Sequence, residues 1–130
     1  VNYYVADTHA LFWYLIASPR LGAKALSVFK EAERGEALIY LPAIVFAELY
    51  YLNEKLRFPL DFASGLHLLR QSGQFIFVPF EVEDALEFDN DSAVPEMHDR
   101  MIVGVARRLN ATCISLDSSI TQSGLVNTIW

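Results

Sequence analysis

Four acidic residues stand where a carboxylate is hardest to explain by structure alone. Asp7 ends the apolar run Tyr3-Tyr4-Val5-Ala6 and is followed at once by Thr8 and His9. Glu48 is the only charge between Ile44 and Leu52, and Asp99 heads a segment that continues Arg100-Met101-Ile102-Val103-Gly104-Val105-Ala106. Asp117 ends a second apolar run, Thr112-Cys113-Ile114-Ser115-Leu116. A buried carboxylate is costly unless it is paired, neutralised or bound to a metal. Of the neighbours of these four, only Arg100 is available to balance them locally. If the fold gathers them, a divalent cation is the expected counter-charge. Mg²⁺ and Mn²⁺ favour hard oxygen ligands, and a carboxylate-held metal suits the activation of water against a phosphate. No side-chain nucleophile is needed for that chemistry.

Each acid also has a plainer reading. Asp7 and Asp117 fit turns after strands, and Asp99 fits a helix cap. Glu48 fits a surface position least well, because its neighbours leave little polar face. Among the lesser candidates, Thr8 and Ser115 can orient ligands or simply bond the backbone. Arg100 can meet a phosphate or pair with a nearby acid. Arg107 and Arg108 lie two turns further along the same helix and are expected to be solvated. His9 and His98 sit near candidate ligands, but their spacing matches no zinc pattern.

The elements that must position these groups follow from periodicity. Short apolar strands are expected at Tyr3–Ala6, Ala37–Leu41, Phe75–Val78 and Thr112–Leu116, with a short terminal strand at Val126–Ile129. Helices are expected at His9–Ala17 with Thr8 as cap, at Ala23–Arg34 with Ala25, Leu26, Phe29 and Ala32 inward, and from Pro42 to about Leu56. Others are expected at Asp61–Ser72, at Glu81–Phe88 and from Asp99 onward, with residues 89–96 as a polar loop. The first helix is apolar nearly all round, so both of its faces should be covered. Strands alternating with helices make an α/β/α sandwich on a mainly parallel sheet. In such sheets ligands collect at the carboxyl ends of the strands, where Asp7 and Asp117 both fall.

The whole-chain numbers agree with one domain: 130 residues, 53% hydrophobic, with a mean hydropathy of +0.25 that leaves apolar surface for a subunit or partner. A net charge of −6 argues against coating nucleic acid by bulk electrostatics. The single cysteine, Cys113, lies in an apolar strand and reads as core, which suits a reducing cytoplasm. No stretch reads as a signal peptide or approaches the roughly 20 apolar residues of a membrane helix. Because residue 1 is valine, an initiator methionine or a few residues are expected to precede it.

The opening Val5-Ala6-Asp7-Thr8-His9-Ala10-Leu11-Phe12-Trp13 and the block from Val94 to Asp117 resemble PIN domains, and among them the VapC-type toxins of toxin–antitoxin pairs. The resemblance spans nearly the whole chain. It implies an acidic quartet at Asp7, Glu48, Asp99 and Asp117, with the accompanying hydroxyls at Thr8 and Ser115. It further implies a Mg²⁺- or Mn²⁺-dependent endoribonuclease, usually a homodimer, held inactive by a cognate antitoxin protein. The aromatic run Phe12-Trp13-Tyr14, with Tyr50, Tyr51 and Phe58, would then be core or would line an antitoxin groove. Other phosphate enzymes fit less well. A haloacid-dehalogenase-type site needs an acid at position 9, which is His, and a receiver needs a late lysine, yet none follows Lys55. A PIN scaffold that binds RNA or protein without cutting is the remaining alternative.

Overall fold

The computed structural model describes residues 1–130. Five strands form one sheet: β1 (Asn2–Ala6), β2 (Ala37–Pro42), β3 (Phe75–Val78), β4 (Thr112–Ile114) and β5 (Thr128–Ile129). Their order is β3-β2-β1-β4-β5 and every pairing is parallel. Seven α-helices cover the sheet: α1 (Thr8–Leu15), α2 (Ala23–Glu33), α3 (Ala43–Lys55), α4 (Phe62–Gln71), α5 (Val82–Leu86), α6 (Met97–Arg108) and α7 (Ser118–Ser123). The expected α/β/α sandwich is therefore the observed fold. Its core is built by Val5, Ile39, Leu41, Cys113 and Ile114 from the strands, with Leu11, Phe12, Phe29, Leu49 and Ile102 from the helices.

Parallel strands need helical crossovers, and the crossovers need sharp exits from each helix. Gly35, with φ of 75°, ends α2 by sending its N–H to Ala32 while Glu36 bonds back to Glu31. Asn110, with φ of 50°, ends α6 the same way, through bonds to Arg107 and from Ala111 to Ala106. Both are left-handed helix stops that turn the chain directly into a strand. The second launches β4, and so fixes where Asp117 arrives.

The strand order contains one reversal. From β1 the chain builds outward through β2 and β3, then returns to the other side of β1 as β4. The gap between the carboxyl ends of β1 and β4 is the point where crossovers diverge, the crevice in which doubly wound sheets take ligands. Asp7 follows β1 immediately, and its N–H bonds the Ile114 carbonyl across that gap at 3.2 Å.

Several local expectations are corrected. Asp7, not Thr8, caps α1, because its Oδ1 accepts the Ala10 N–H at 2.9 Å. In α2 the buried face is Ala25, Val28, Phe29 and Ala32, while Leu26 is exposed. On α1 Thr8, Ala10, Leu11 and Phe12 are buried, His9 is exposed, and Trp13 to Ile16 are half-covered. The fifth helix is shorter than expected and runs into a 3₁₀ turn at Phe88–Asp91. Arg107 and Arg108 are not free in solvent. Arg107 forms a bidentate pair with Asp91, which is 0% exposed. Arg108 bonds both oxygens of buried Asp84, at 3.1 and 3.2 Å, and the Pro79 carbonyl. These two pairs clamp the 79–91 segment onto α6.

Removing one partner of a buried ion pair strands the other, at about 3 kcal/mol. Asp91→Ala should lower the unfolding free energy by that order in urea titrations. A loss well under 1 kcal/mol would show that the pair is not a structural clamp.

Candidate active site

The acids arrive in the crevice from four separate elements. Asp7 comes from the β1–α1 junction and Asp117 from the start of α7, where its Oδ1 accepts the N–H groups of Ser119 and Ile120 at 2.9 and 3.1 Å. Asp99 lies in the first turn of α6. That helix is capped by Glu96, whose Oε2 accepts the Asp99 N–H at 2.9 Å. Glu48 lies midway along α3, which packs against both α1 and α6. The Thr8 hydroxyl donates to Glu48 Oε1 at 2.7 Å and ties α3 to the strand end. Together Asp7, Thr8, His9, Glu48, Glu96, Asp99 and Asp117 line one cleft of about 360 Å³, floored by Leu52 and Ile102. No lysine or arginine lines it.

Ser115 is fully buried beneath the cleft, and its Oγ accepts the Asp117 N–H at 3.1 Å. Arg100 is placed elsewhere. Its guanidinium donates to the carbonyls of Val94 and Phe88, not to a neighbouring acid, and it does not line the cleft. It braces the loop before α6 and thereby the position of Asp99.

The electrostatics carry the cost of this crowding. Burial pushes the Asp7 carboxyl up from its ordinary range, against the opposing effect of the Ser115 hydroxyl and the Ala10 N–H. Asp99 is pushed up to about 7, first by burial and then by the charges of Asp117, Glu96, Glu48 and Asp7. The helix N-termini of α1, α6 and α7 point partial positive charge at the acids, which offsets some of this. The donor set, several carboxylate oxygens in a cleft lined by no lysine or arginine, fits a hard divalent ion.

One further residue of the cleft, Glu96, was not singled out by the sequence, and His98, which was, stands beside it. The His98 Nδ1 lies 3.0 Å from Glu96 Oε1 and 3.6 Å from Glu48 Oε2. Their three ligand atoms lie within 4.8 Å of one another, the tightest metal-capable group in the chain. An imidazole can bond either glutamate, which lets this group close up. The signal for Glu96 was its place three residues before Asp99, an acid at a helix cap.

A PIN domain family model matches residues 4–123. Among solved structures, VapBC2 from Rickettsia felis, bound to a DNA fragment from its promoter, is similar at 16% identity and a TM-score of 0.69. The match covers 98% of this chain and 97% of that one. FitAcB from Neisseria gonorrhoeae is similar at 20% identity and a TM-score of 0.65, over 98% and 96% of the two chains. VapC20 from Mycobacterium tuberculosis, a toxin that cleaves the sarcin–ricin loop, is similar at 14% identity and a TM-score of 0.68, over 95% and 96%. At these identities the likeness to the solved structures is one of fold. A search of curated proteins returns no match.

The raised Asp99 carboxyl gives a pH signature. Between the ordinary carboxylate pKa and about 7, the folded chain holds a proton that the unfolded chain releases. Stability without metal therefore declines as pH rises through that window and levels off above it. Asp99→Asn should raise the metal-free melting temperature by roughly 3 °C at pH 8 and leave it nearly unchanged at pH 4. An equal effect at both pH values would mean that charge crowding is not the cause.

Proposed function

The chain belongs to the PIN domain family, and from that membership we propose that it is a Mg²⁺- or Mn²⁺-dependent endoribonuclease of the VapC-like toxin type. It hydrolyses RNA phosphodiester bonds, acts in the cytoplasm as a homodimer and is neutralised by a cognate antitoxin protein. The observation that carries this reading is the convergence of Asp7, Glu48, Asp99 and Asp117 on one cleft free of lysine and arginine. Asp7, Asp99 and Asp117 are the ligands in this reading, with Glu48 as a direct or water-mediated fourth. When bound, the ion activates water for attack on the scissile phosphate and offsets the charge that develops there.

The residues around the acids act by holding them. The Ala10 N–H fixes Oδ1 of Asp7, and the Ser115 hydroxyl steadies the same carboxylate. The Ser119 and Ile120 amides, with the Ser119 hydroxyl, do the same for Asp117. Thr8 orients Glu48, and Ser115 anchors the backbone of Asp117 beside Asp7. Arg100 acts at one remove, through the loop that carries Glu96 and Asp99. Such preorganisation matters because carboxylates that must first be gathered would bind a cation weakly.

The antitoxin and dimer assignments are supported more indirectly. The similar solved structures include toxin–antitoxin complexes. Tyr50, Tyr51, Leu56, Phe58 and Leu68 are exposed on α3, α4 and the loop between them, more large apolar surface than a free monomer needs to show. No helix of the chain is long and apolar enough to cross a membrane.

Asp7→Asn and Asp117→Asn should each reduce Mn²⁺-dependent cleavage of RNA by at least about a hundredfold while the circular dichroism spectrum is unchanged. Full activity in either folded variant would remove the mechanism. A folded wild type that binds RNA but never cuts it, with any metal, would favour a PIN scaffold that serves as a binding module.

A further inference from the structure

A second cleft, of about 530 Å³, opens beside the acidic one and shares Asp7, His9 and Asp117 with it. Its remaining walls are of a different chemistry: Trp13, Arg20, Leu116 and Trp130. These are the only two tryptophans of the chain. The Arg20 guanidinium lies 5.2 Å from the centre of the Trp13 ring. Its side chain makes no ion pair and no hydrogen bond within the chain, so all of its donors remain available. By contrast, the three arginines of α6 are committed to Asp91, Asp84 and main-chain carbonyls. Arg20 is thus the one strong cation beside the candidate ligands.

The aromatic walls are built, not incidental. Trp130 sits directly on Gly22, where a Cβ would fall 2.5 Å from its Cδ1 and 2.6 Å from its carbonyl carbon. Only glycine at that position lets the last indole close against the start of α2. Trp13 packs on Phe12 at 5.4 Å between ring centres and has His9 at 5.8 Å. Leu116, immediately before Asp117, is 63% exposed.

Resting on the nuclease reading above, we propose that this second cleft binds a nucleotide of single-stranded RNA next to the scissile phosphate, stacking its base on the indole surfaces and holding a phosphate with Arg20. Unpaired bases stack on aromatic rings and on guanidinium planes, and the phosphate that follows them needs a donor-rich cation. A chain of net charge −6 has no bulk field to hold RNA, so an isolated arginine with two indoles supplies a local grip where the acids alone would repel. The continuity of the two clefts through Asp7, His9 and Asp117 places the neighbouring phosphate at the candidate metal ligands.

Because both tryptophans line the cleft, intrinsic fluorescence reads it directly. Short random-sequence single-stranded oligoribonucleotides, titrated into the full chain with Ca²⁺ in place of Mg²⁺, should quench the emission saturably. Inorganic tripolyphosphate should not. Arg20→Ala should weaken RNA binding about tenfold, the scale of one lost phosphate or stacking contact, at an unchanged melting temperature. Trp13→Phe and Trp130→Phe should each remove part of the quench. Cleavage of RNA by a wild type that shows no saturable quench would overturn the cradle and leave the nuclease reading standing. Quenching with the predicted Arg20 dependence, in a protein that never cuts, would support the cradle and overturn only the nuclease reading. If Arg20→Ala keeps its RNA affinity but loses co-purification with a partner protein, the cleft belongs to that protein and the proposal fails.

Discussion

Repulsion among desolvated carboxylates is the constraint on which this site depends. Four acids from four elements meet at the one crevice of the sheet where crossovers diverge, and none has a lysine or arginine against it. Burial, and at Asp99 also the charges of Asp117, Glu96, Glu48 and Asp7, raises the carboxyls of Asp7 and Asp99. The fold limits the cost in two ways. It aims the N-termini of α1 and α7 at Asp7 and Asp117, and that of α6 at Glu96 beside Asp99, so that main-chain N–H groups share the charge. It also pairs its other buried acids, Asp84 and Asp91, with Arg108 and Arg107 on the far end of α6. One helix therefore carries an unbalanced acid at its start and balanced ones beside its end. That asymmetry separates a site from a structural clamp in the same chain.

How much of this could be read from the sequence depended on whether the determinant was local. Asp7 and Asp117 were visible because a charge at the end of a short apolar run marks the end of a buried strand, and the alternation of elements implied a parallel sheet. Glu48 was visible as a lone charge in an apolar helix. The roles of Arg107 and Arg108 were not, since their partners lie 16 and 24 residues away in a segment whose own structure is short and irregular. Arg100 misled for a related reason. Adjacency to Asp99 suggested an acid or phosphate partner, but on a helix the next residue points elsewhere, and its donors reach main-chain carbonyls. The cap of α1 was misplaced by one residue, from Asp7 to Thr8, because both types cap helices well and only the Ala10 contact decides.

On the proposed function, the same geometry would let an acidic protein handle a polyanion. Net negative charge is an average, and the relevant quantity is what stands within a few ångströms of the reacting phosphate. There the chain offers carboxylates for a cation, helix N-termini, and on one flank an uncommitted arginine beside two indoles. On that proposal, charge that repels RNA from the rest of the surface would also disfavour binding elsewhere and concentrate affinity at the carboxylates' cation and Arg20.

The central claim is that the crowded carboxylates exist to hold a divalent cation. Titration calorimetry of Mn²⁺ into the wild type and Asp99→Asn, near neutral pH and in buffers of different ionisation enthalpy, tests it without any knowledge of the substrate. Saturable binding that releases protons in the wild type and is lost in the variant is the predicted result. Binding of equal strength in both proteins, or none in either at millimolar Mn²⁺, would contradict it.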